Sequence, residues 1–476
     1  MFNKNKKFYI TTTLPYVNSD PHIGFALEII QADAVARYYR ANKYEVFFNT
    51  GVDEHGLKIF RKAKENNLDP QAYCDVYAEK FENLKTALNL SYDNFIRTTA
   101  PHHIKATQEF WIRCYKNGDI YKKNYKIKYC VGCELEKTES ELVRGRCPIH
   151  PEQEIEIIEE ENYFFRYSKY QKKLLEFYKK NSKFVIPQSR FNEIKEFTKR
   201  GLEDFSISRL KEKMPWGVPV PGDDKHIMFV WFDALVSYIS ALGWPDNLEK
   251  FNNFWPVFQV AGKDNLRQQS SMWQAMLLSA EFPMSKQIFI HGFVNSNGKK
   301  MSKSLGNVVD PFLLVKKYGT DAVRYYLLRE ISPTEDGDFT YEKFEQRYNG
   351  DLAGGIGNLV SRTIALSVKL NTSKTKITPV VNKEIDKIKK DFKKYLDDFK
   401  FNEALKVIWE LIGFCDRYIN EKKPWEAKKN AKQVVFDVLF ALINIADLLN
   451  PLLPETSEKI KQLIEQKKQE AIFPRV

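Results

Sequence analysis

One stretch near the amino terminus limits the fold more than any other part of the chain. Residues 7–13 alternate apolar and polar side chains, which is typical of a strand. From residue 23 to residue 38 the apolar side chains recur at intervals of three and four, which predicts a helix. Open parallel sheets are built from units of strand, tight crossover and helix, so the pattern favours an α/β fold.

The crossover carries residues that suit a helix start. We expect Asp20 to cap the helix and Pro21 to occupy its first position. His22 and Gly24 then fall in the first turn, where unpaired N–H groups and the helix dipole attract anions. A histidine at a helix start is more often a surface residue than a phosphate ligand, so this stretch alone leaves both interpretations open.

A second stretch, at residues 297–304, has the composition of a phosphate-binding loop. Gly298 is followed by closely spaced lysines and serines, which supply positive charge and hydrogen-bond donors. Lysine-rich loops are usually just solvated, so this stretch is also ambiguous by itself.

Together the two stretches resemble the paired signatures of class I aminoacyl-tRNA synthetases. The first signature is His-Ile-Gly-His, and residues 22–25 read His-Ile-Gly-Phe, which differs from it only at the last position. The second signature is Lys-Met-Ser-Lys-Ser, which residues 300–304 match fully. The segment Leu-Pro-Tyr-Val-Asn at 14–18 narrows the resemblance to the methionyl-tRNA synthetase family, and the resemblance extends over residues 8–446. It implies an α/β, Rossmann-like nucleotide-binding catalytic domain, split by a zinc-containing insertion and followed by an all-α anticodon-binding helix bundle.

The resemblance divides the chain into five consecutive segments. Three apolar stripes at helical spacing independently predict a helix bundle in the last of them. The expected boundaries are 1–116 for the first half of the catalytic domain, 117–227 for the insertion, 228–298 for the second half, 299–348 for the second-signature loop and stem-contact region, and 349–476 for the anticodon-binding domain.

The bulk composition is that of a globular enzyme large enough for several domains. The 476 residues carry a formal net charge of +12, which favours RNA as a partner, although an A/T-rich genome gives the same excess of lysine. The charged start runs straight into strand residues, so no secretory signal is expected. The most apolar late run, at 438–449, is too short to span a bilayer. We expect a cytoplasmic protein that does not bind membranes.

The cysteines give the most specific signal that needs no knowledge of a family. Cys130 and Cys133 form one pair of ligands, and Cys147 and His150 form a second pair after thirteen intervening residues. Two such pairs joined by a hairpin can close a tetrahedron around a metal, and the charged hairpin cannot build a core of its own. We predict one structural Zn²⁺ per chain, with no position left open for catalysis.

The resemblance implies a binding site for methionine. Asp53 follows a predicted buried strand, where ligands of parallel sheets bind, although the residues alone allow a helix cap equally well. In the family the matching aspartate contacts the α-amino group, and the arginine that matches Arg209 lies close to it. Taken alone, Trp231, Tyr238 and His291 would more often be core residues. The implied methionine-binding residues are Leu14, Tyr16, Asp53, Trp231, Ala234, Tyr238 and His291.

The resemblance also implies a nucleotide site and a reaction. Methionine and ATP would give methionyl-adenylate and pyrophosphate, and the methionyl group would then pass to the terminal ribose of tRNA. The protein would position the reactants and stabilise charge, with Mg²⁺ assisting at the phosphates. The implied ATP-binding residues are His22, Gly24, Glu28, Gly262, Asp264, Lys300, Ser302 and Lys303. The implied catalytic residues are His22, Lys300, Lys303, Asp53 and Arg209.

The helical segment is implied to read the anticodon of tRNA(Met), initiator and elongator alike. Asn358 and Arg362 lie four residues apart, hence on one helical face, and match family residues that hydrogen-bond anticodon bases. Trp425 matches a residue that stacks on a base, although a tryptophan in a bundle can equally serve the core. The chain ends without the domain that mediates dimerisation in some relatives, so we expect a monomer.

Several positions depart from the family pattern or receive no role. Phe25 stands where the family has a second histidine, and Gln268 and Gln269 replace a usual Phe-His pair. These departures are the only support for a catalytically inactive tRNA-binding homologue. A class I synthetase for leucine, isoleucine or valine is disfavoured, because the insertion is too short for an editing domain. We expect His102 and His103 to cap a helix or to lie at the surface.

Overall fold

The chain folds into two compact units, each built from separate stretches of sequence. The structure is a computed structural model and describes residues 6–133, 135–137, 139–301, 306–370, 376–426 and 430–476. The sheet unit comprises Met1–Asp20, Glu45–Asn83 and Tyr92–Ile290, and the helical unit comprises Pro21–Tyr44, Leu84–Ser91 and His291–Val476. The five segment boundaries expected from the sequence stay predictions.

The described part of the chain contains strands and helices in alternation at first and almost only helices at the end. The strands are β1 (Lys7–Thr11), β2 (Glu45–Val52), β3 (Asn94–Arg97), β4 (Ile120–Cys130), β5 (Leu135–Lys137), β6 (Glu156–Phe165), β7 (Val185–Ile186), β8 (Phe205–Ser206), β9 (Ser208–Leu210), β10 (Pro219–Val220), β11 (Asp223–Met228), β12 (Phe258–Gly262), β13 (Gln287–His291), β14 (Val294–Ser296), β15 (Lys299–Lys300) and β16 (Gly337–Phe339). The helices are α1 (Ile23–Ala41), α2 (Leu57–Glu65), α3 (Pro70–Glu82), α4 (Leu84–Ala87), α5 (Pro101–Lys116), α6 (Gln171–Lys180), α7 (Gln188–Arg200), α8 (Val230–Ser240), α9 (Leu248–Phe254), α10 (Trp273–Ser279), α11 (Pro311–Tyr318), α12 (Thr320–Arg329), α13 (Tyr341–Arg347), α14 (Asn358–Leu370), α15 (Pro379–Asp397), α16 (Phe401–Lys422), α17 (Ala431–Leu449) and α18 (Pro454–Gln466).

The main sheet of the sheet unit has the strand order β3-β2-β1-β12-β13-β7. β1 pairs in parallel with β2 and with β12, and β2 pairs in parallel with β3. The chain therefore builds outward from β1 in one direction and resumes with β12 on the other side of β1. A reversal of strand order of this kind opens a ligand-binding crevice at the carboxyl ends of the two strands. The Rossmann-like parallel sheet predicted from the sequence is confirmed.

Aromatic side chains pack the helices of the sheet unit together. Phe110 of α5 stacks on Trp273 of α10, with ring centroids 5.6 Å apart, and meets Phe232 of α8 nearly edge to face at 5.8 Å. All three side chains are buried. Aromatic pairs favour these offset and edge-on geometries over a direct sandwich. The packing fixes α8, the helix that carries three of the predicted methionine-binding residues.

The predicted insertion contains a second, antiparallel sheet with the strand order β5-β4-β6-β8. β4 and β6 pair along ten residue positions, from Ile120 opposite Phe165 to Tyr129 opposite Glu156. β4 ends at Cys130, so the long hairpin carries the first two predicted metal ligands at its tip.

The predicted helix bundle is present in the helical unit. The three apolar stripes of the sequence become α15, α16 and α17. Their buried side chains recur at helical spacing, as Ile385, Ile388 and Phe392 do in α15. Among the described residues, none of the helices combines the length and the apolar character needed to cross a membrane.

A buried ion pair joins distant stretches of the helical unit. Nη2 of Arg324, in α12, lies 2.8 Å from Oδ2 of Asp33, in α1, and both side chains are fully buried. The guanidinium also donates to the backbone carbonyls of Leu452 and Leu88. Burial by itself would raise the pKa of Asp33, but attraction to Arg324 and Arg37 lowers it, so the carboxylate stays charged. Such a pair is costly to break, because either partner alone would be an uncompensated buried charge.

Candidate active site

The first predicted signature forms the start of α1. His22 is the N-cap residue, and its Nδ1 accepts a hydrogen bond from the Gly24 N–H at 3.0 Å. The predicted Asp20 cap is therefore wrong, and Oδ1 of Asp20 instead lies 2.6 Å from Nζ of Lys80. An unprotonated imidazole nitrogen can accept a helix N–H much as an aspartate oxygen does, so His22 takes the place expected for Asp20.

The cap hydrogen bond defines the protonation state of His22. A nitrogen that accepts a hydrogen bond carries no proton, so the proton of the neutral ring lies on Nε2. Burial lowers the pKa of His22, which favours this neutral form at pH 7. His22 can therefore cap the helix with one nitrogen and donate to an anion with the other.

The second signature meets the first within the helical unit. A Cβ atom built on Gly24 would lie 3.6 Å from the terminal methyl carbon of Met301 and only 2.8 Å from Cε1 of His22. Gly24 thus provides space between the two motifs that any other residue would fill. Lys300 ends β15 with an exposed side chain, whereas Ser302 and Lys303 lie outside the described residues.

Glu28 and His291 form a buried pair in the helical unit. Nε2 of His291 lies 2.8 Å from Oε2 of Glu28, and Nδ1 lies 2.7 Å from the carbonyl oxygen of Gly292. A carbonyl only accepts, so Nδ1 carries a proton and a further proton joins Nε2 to the carboxylate. The resemblance implies a nucleotide role for Glu28 and a methionine role for His291, and both roles stay predictions.

Asp53 occupies the predicted place just beyond β2. Its N–H donates to the carbonyl of Pro15 at 2.9 Å, and its own carbonyl accepts from the N–H of Val17 at 3.2 Å. The buried carboxylate accepts from Oγ1 of Thr98 and from the N–H of His55, both at 3.4 Å. The backbone bonds tie Asp53 to the segment that contains the predicted residues Leu14 and Tyr16.

Helix α8 carries the remaining predicted pocket residues of the sheet unit. Trp231, Ala234 and Tyr238 follow each other at intervals of three and four and so share one face. Nε1 of Trp231 donates to the Tyr16 hydroxyl at 3.2 Å, which brings together two residues that lie far apart in the chain. The structure therefore joins Tyr16, Asp53 and Trp231 into one cluster.

Tyr238 has a polar partner that the sequence analysis missed. Nε2 of Gln269 donates to the Tyr238 hydroxyl at 2.8 Å, and Oε1 of Gln269 accepts from Nε2 of Gln259 at 2.7 Å. All three side chains are buried. The signal in the sequence was the departure at Gln269 from the usual histidine, since glutamine can also donate to a hydroxyl.

Arg209 lies buried beside aromatic rings in the sheet unit. Its Nη1 donates to Oγ of Ser206 and to the carbonyl of Ser208, both at 2.7 Å. The guanidinium carbon lies 4.4 Å from the ring centroid of Phe229. The predicted pairing of Arg209 with Asp53 stays a prediction.

The predicted ribose-binding residues follow β12. Gly262 is buried and ends the strand, and Asp264 is exposed two residues later, in the 3₁₀ turn Lys263–Asn265. Because β2, β1 and β12 are parallel neighbours, their carboxyl ends share one edge of the sheet. Residues after these strands, including Asp53 and Leu14, therefore belong to the same edge as Gly262.

The prediction that His103 caps a helix or lies at the surface is wrong. The ring is fully buried, with Nδ1 2.8 Å from Oγ of Ser240 and Nε2 2.7 Å from Oδ1 of Asp233. His55 approaches the same carboxylate from the other side, with its Nδ1 2.6 Å from Oδ2 of Asp233. Burial by itself would raise the pKa of Asp233, but attraction to His55 and hydrogen bonds from both rings hold it at about 2.

The four predicted metal ligands converge at the tip of the hairpin. One donor atom from each of Cys130, Cys133, Cys147 and His150 lies within 4.8 Å of the other three, so the group could hold a metal ion. Sγ of Cys133 is 3.4 Å from Sγ of Cys147 and 3.2 Å from Nδ1 of His150. A Cβ on Gly132 would lie 2.6 Å from the His150 ring, so the knuckle requires glycine there.

The predicted anticodon residues share one exposed region of the helical unit. The guanidinium carbon of Arg362 lies 4.8 Å from the ring centroid of Trp425, and its Nη2 donates to Oδ1 of Asn420 at 2.7 Å. Trp425 is 48% exposed, which argues against a core role. Asn358, one turn before Arg362 on α14, is also exposed.

Comparisons with known proteins agree along almost the whole chain. The family model described as "tRNA synthetases class I (M)" matches residues 8–157 and 151–364, and the one described as "Anticodon-binding domain of tRNA ligase" matches residues 380–474. The methionine–tRNA ligase of Thermotoga maritima is 43% identical over 471 residues, which cover 95% of this chain and 74% of the relative. The methionine–tRNA ligase of Thermosynechococcus vestitus is 42% identical over 472 residues, which cover 95% of this chain and 89% of that relative. The solved structure of Mycobacterium tuberculosis methionyl-tRNA synthetase in complex with methionyl-adenylate aligns with a TM-score of 0.92 at 36% identity, over 96% of this chain and 94% of that one.

Proposed function

The chain belongs to the class I tRNA synthetases of the methionine type, and from this premise we propose how its residues perform the reaction of a methionine–tRNA ligase. A carboxylate oxygen of methionine attacks the α-phosphorus of ATP, and the bond from that phosphorus to pyrophosphate breaks. The ribose hydroxyl at the 3′ end of tRNA then attacks the methionyl carbonyl and releases AMP. No enzyme nucleophile takes part, so the residues act through position and charge.

The methionine-binding role rests on the cluster around Asp53. Its buried carboxylate is the natural partner of the α-ammonium group, and a charge-assisted hydrogen bond of this kind is stronger than a neutral one. Leu14, Tyr16, Trp231, Ala234 and Tyr238 would receive the thioether, whose polarizable sulfur packs well against aromatic rings. His291 is also proposed to line the pocket for the methionine side chain. Arg209 would pair with Asp53 and hold its carboxylate in place.

The phosphate-binding role rests on the meeting of the two signatures, which is the observation that carries the proposed function. Nε2–H of His22 and the ammonium groups of Lys300 and Lys303 would stabilise the charge that develops on the phosphates. Ser302 would donate a further hydrogen bond. Mg²⁺ would arrive on the phosphates of ATP and neutralise part of their charge.

The adenosine part of ATP would be held by small and acidic residues. Gly24 leaves room for the adenine ring beside the helix start, and Glu28 would accept from the adenine amino group. Gly262 permits a close approach of the ribose, and the exposed carboxylate of Asp264 can accept from ribose hydroxyls.

A structural zinc fits the cysteine and histidine cluster. Three thiolates and one imidazole are the donors of known structural zinc sites, and separations of 3.2 to 3.8 Å between donors suit ligand distances of about 2.0 to 2.3 Å. All four positions would come from the protein, so the ion would stabilise the hairpin and take no part in the chemistry. We therefore assign one Zn²⁺ per chain to Cys130, Cys133, Cys147 and His150.

The partner would be tRNA(Met), in its initiator and elongator forms. The exposed group of Asn358, Arg362 and Trp425 offers a hydrogen-bonding edge and a stacking surface, which is how proteins read unpaired bases. The monomeric state and the cytoplasmic location stay predictions.

Amino-acid-dependent exchange of pyrophosphate into ATP tests the activation step. Among the twenty amino acids, methionine alone should support rapid exchange. Exchange with another amino acid would contradict the proposed substrate. The absence of any exchange, with binding of tRNA retained, would instead show a catalytically inactive homologue.

A further inference from the structure

The sheet unit contains a buried carboxylate that the proposed reaction does not use. Asp233 lies on α8 with no exposed surface, and both of its oxygens accept hydrogen bonds from histidines. Oγ1 of Thr107 adds a third donor to Oδ1 at 3.5 Å. A carboxylate only accepts, so the network requires protons on Nδ1 of His55 and on Nε2 of His103.

The network joins the two elements that supply the proposed methionine site in the sheet unit. His55 stands two residues after Asp53, and its backbone N–H donates to the Asp53 carboxylate at 3.4 Å. Asp233 lies on α8 between Trp231 and Ala234, two of the proposed pocket residues. Oδ2 of Asp233 therefore binds the loop that carries Asp53, through the ring of His55. The backbone of Asp233 belongs to α8, the helix that carries the proposed pocket residues.

A second contact secures the same loop from outside. Nε1 of Trp216 donates to the carbonyl of Glu54 at 2.5 Å, and the Trp216 ring meets the His55 ring edge to face, with centroids 5.6 Å apart. The N–H of Glu54 in turn donates to Oγ1 of Thr98 at 2.9 Å. These contacts limit the positions that His55 can adopt. The orientation of its ring is therefore fixed by Trp216 as well as by Asp233.

We propose that Asp233 is a positioning residue for methionine: through His55 it keeps the carboxylate of Asp53 in register with the pocket formed by α8. The inference rests on the proposed roles of Asp53 and Trp231. The ammonium group and the side chain of methionine must be bound at one fixed separation, and the Asp233–His55 contact sets the separation between the residues that bind them.

The variant Asp233→Asn alters the network with little change of volume. An amide offers one acceptor and one donor group, so one of the two histidine bonds is lost or reversed. We expect the KM for methionine in pyrophosphate exchange to rise about tenfold or more, because a hydrogen bond to a charged buried group is broken. The KM for ATP should stay within about twofold, since the variant leaves the helix start at His22 intact.

Two inhibitors separate this role from general loosening of the fold. Methioninol keeps the ammonium group and the thioether, whereas 4-(methylthio)butanoate keeps the thioether and lacks the ammonium group. Asp233→Asn should raise the Ki of methioninol about tenfold and leave that of 4-(methylthio)butanoate within about twofold, because only the first ligand needs both elements in register. An equal rise for both inhibitors, or no rise for methioninol, would overturn the proposal.

Matched variants keep the test decisive if Asp233→Asn folds poorly. His55→Asn can still donate to Asp233 and should retain the affinity for methioninol, whereas His55→Leu cannot and should lose it. Asp119→Asn alters another fully buried carboxylate of the sheet unit, which accepts from Tyr170, Lys169 and Ser279. It should lower the melting temperature without changing the ratio of the two Ki values.

Asp53→Asn distinguishes failure of this inference from failure of the proposed function. If Asp53→Asn leaves the Ki of methioninol unchanged, the proposed methionine site itself is wrong. If Asp53→Asn raises that Ki while Asp233→Asn and His55→Leu do not, the site stands and the positioning role of Asp233 is refuted.

Discussion

We propose that His22 combines a structural and a chemical role in one ring. Nδ1 accepts the Gly24 N–H and so caps α1, while Nε2 carries the proton that can reach a phosphate. The two nitrogens point in different directions, so substitutions can remove one function and keep the other. Asparagine can supply an acceptor near the position of Nδ1, and glutamine can supply a donor near the position of Nε2.

We predict opposite effects for His22→Asn and His22→Gln. His22→Asn should keep the melting temperature close to that of the wild type and slow pyrophosphate exchange about 100-fold, the usual cost of one lost donor to transition-state charge. His22→Gln should retain more activity but lose about 1 kcal/mol of stability with the cap. Equal rates and equal melting temperatures for the two variants would contradict this division of roles.

The lowered pKa of His22 also gives a pH dependence. Neutral His22 both caps and donates, and protonation of Nδ1 would break the bond to Gly24. The stability that His22 contributes through the cap should therefore stay constant from pH 7 upward and be lost as the pH falls from the ordinary pKa of a histidine through the lowered one, whereas the Nε2–H donor is kept. In His22→Gln, which has no cap to lose, this loss should be absent from the melting temperature measured as a function of pH, and an unchanged loss in that variant would contradict the assignment.

Phe25 removes a donor that the first signature normally has. We expect this chain to activate methionine more slowly than a variant with histidine at position 25. Activation is weakened but not abolished, because His22 and Lys300 are still present. Phe25→His should therefore increase the rate of pyrophosphate exchange. Phe25→Leu is the control, because it removes the phenyl ring without adding a hydrogen-bond donor. No gain for Phe25→His over Phe25→Leu would mean that a missing donor does not limit the rate.

Individual residues show where sequence reasoning succeeds and where it stops. Cys130, Cys133, Cys147 and His150 could be assigned from spacing, because metal ligands in knuckles follow fixed intervals. His103 could not, since its partner Asp233 lies far away in the sequence and no local pattern marks a buried polar contact. A surface location is the usual one for histidine in the first turn of a polar helix, and tertiary contacts overrode it here.

At the scale of single elements, the surface formed by α14 and the 3₁₀ turn Pro424–Glu426 should bind tRNA and take no part in the activation of methionine. Trp425 lies at the surface over Arg362 and could stack on a base with about 1–3 kcal/mol, so Trp425→Ala should reduce kcat/KM for tRNA about 10- to 100-fold. Trp425→Phe, which keeps an aromatic face, should retain most of the activity. Pyrophosphate exchange should be unchanged in both variants, and a parallel loss of exchange would contradict a role confined to tRNA.

The hairpin of β4, β5 and β6 should depend on its metal. The purified chain is expected to contain one zinc per molecule, and removal of both Cys130 and Cys133 by substitution with serine should abolish metal binding and lower the melting temperature. Cys74→Ser is the matched control, because Cys74 is buried in the same unit and lies outside the cluster. Zinc-free protein with an unchanged melting temperature would refute a structural metal.

The regular elements were largely predictable, whereas some local geometry was not. Alternation and helical spacing correctly indicated β1, α1 and the three bundle helices, because burial of one face imposes those periods on the sequence. The wide π-helical turn at Gln268–Met272 had no such signal. Gln269, which donates to the Tyr238 hydroxyl, lies in this turn. The polar contact that the sequence analysis missed therefore depends on a local backbone geometry that has no periodic signal.

At the scale of the whole molecule, the compact units do not follow consecutive segments. The stretch Pro21–Tyr44, which contains α1 and the first signature, belongs to the same unit as the bundle. The buried pair of Asp33 with Arg324 fastens α1 within that unit. A long-range ion pair leaves no periodic trace in the sequence, which explains why consecutive segments were the natural expectation.

The most direct test of the central claim is a double-mutant cycle between the two signatures. The claim is that His22 and Lys300 act on the phosphates of one ATP molecule. The rate of pyrophosphate exchange is measured for the wild type, His22→Asn, Lys300→Ala and the double variant. Lys317→Ala, which removes an exposed lysine paired with Glu345, replaces Lys300→Ala in the control cycle.

When two groups stabilise the same transition state, the losses of activation free energy in the two single variants do not add up to the loss in the double variant. The double variant should therefore be faster than the product of the two single losses predicts, by about fivefold or more, which corresponds to about 1 kcal/mol of coupling. Lys317→Ala should show no coupling to His22→Asn. If the losses from His22→Asn and Lys300→Ala simply multiply, the two signatures do not act on one nucleotide and the claim is contradicted.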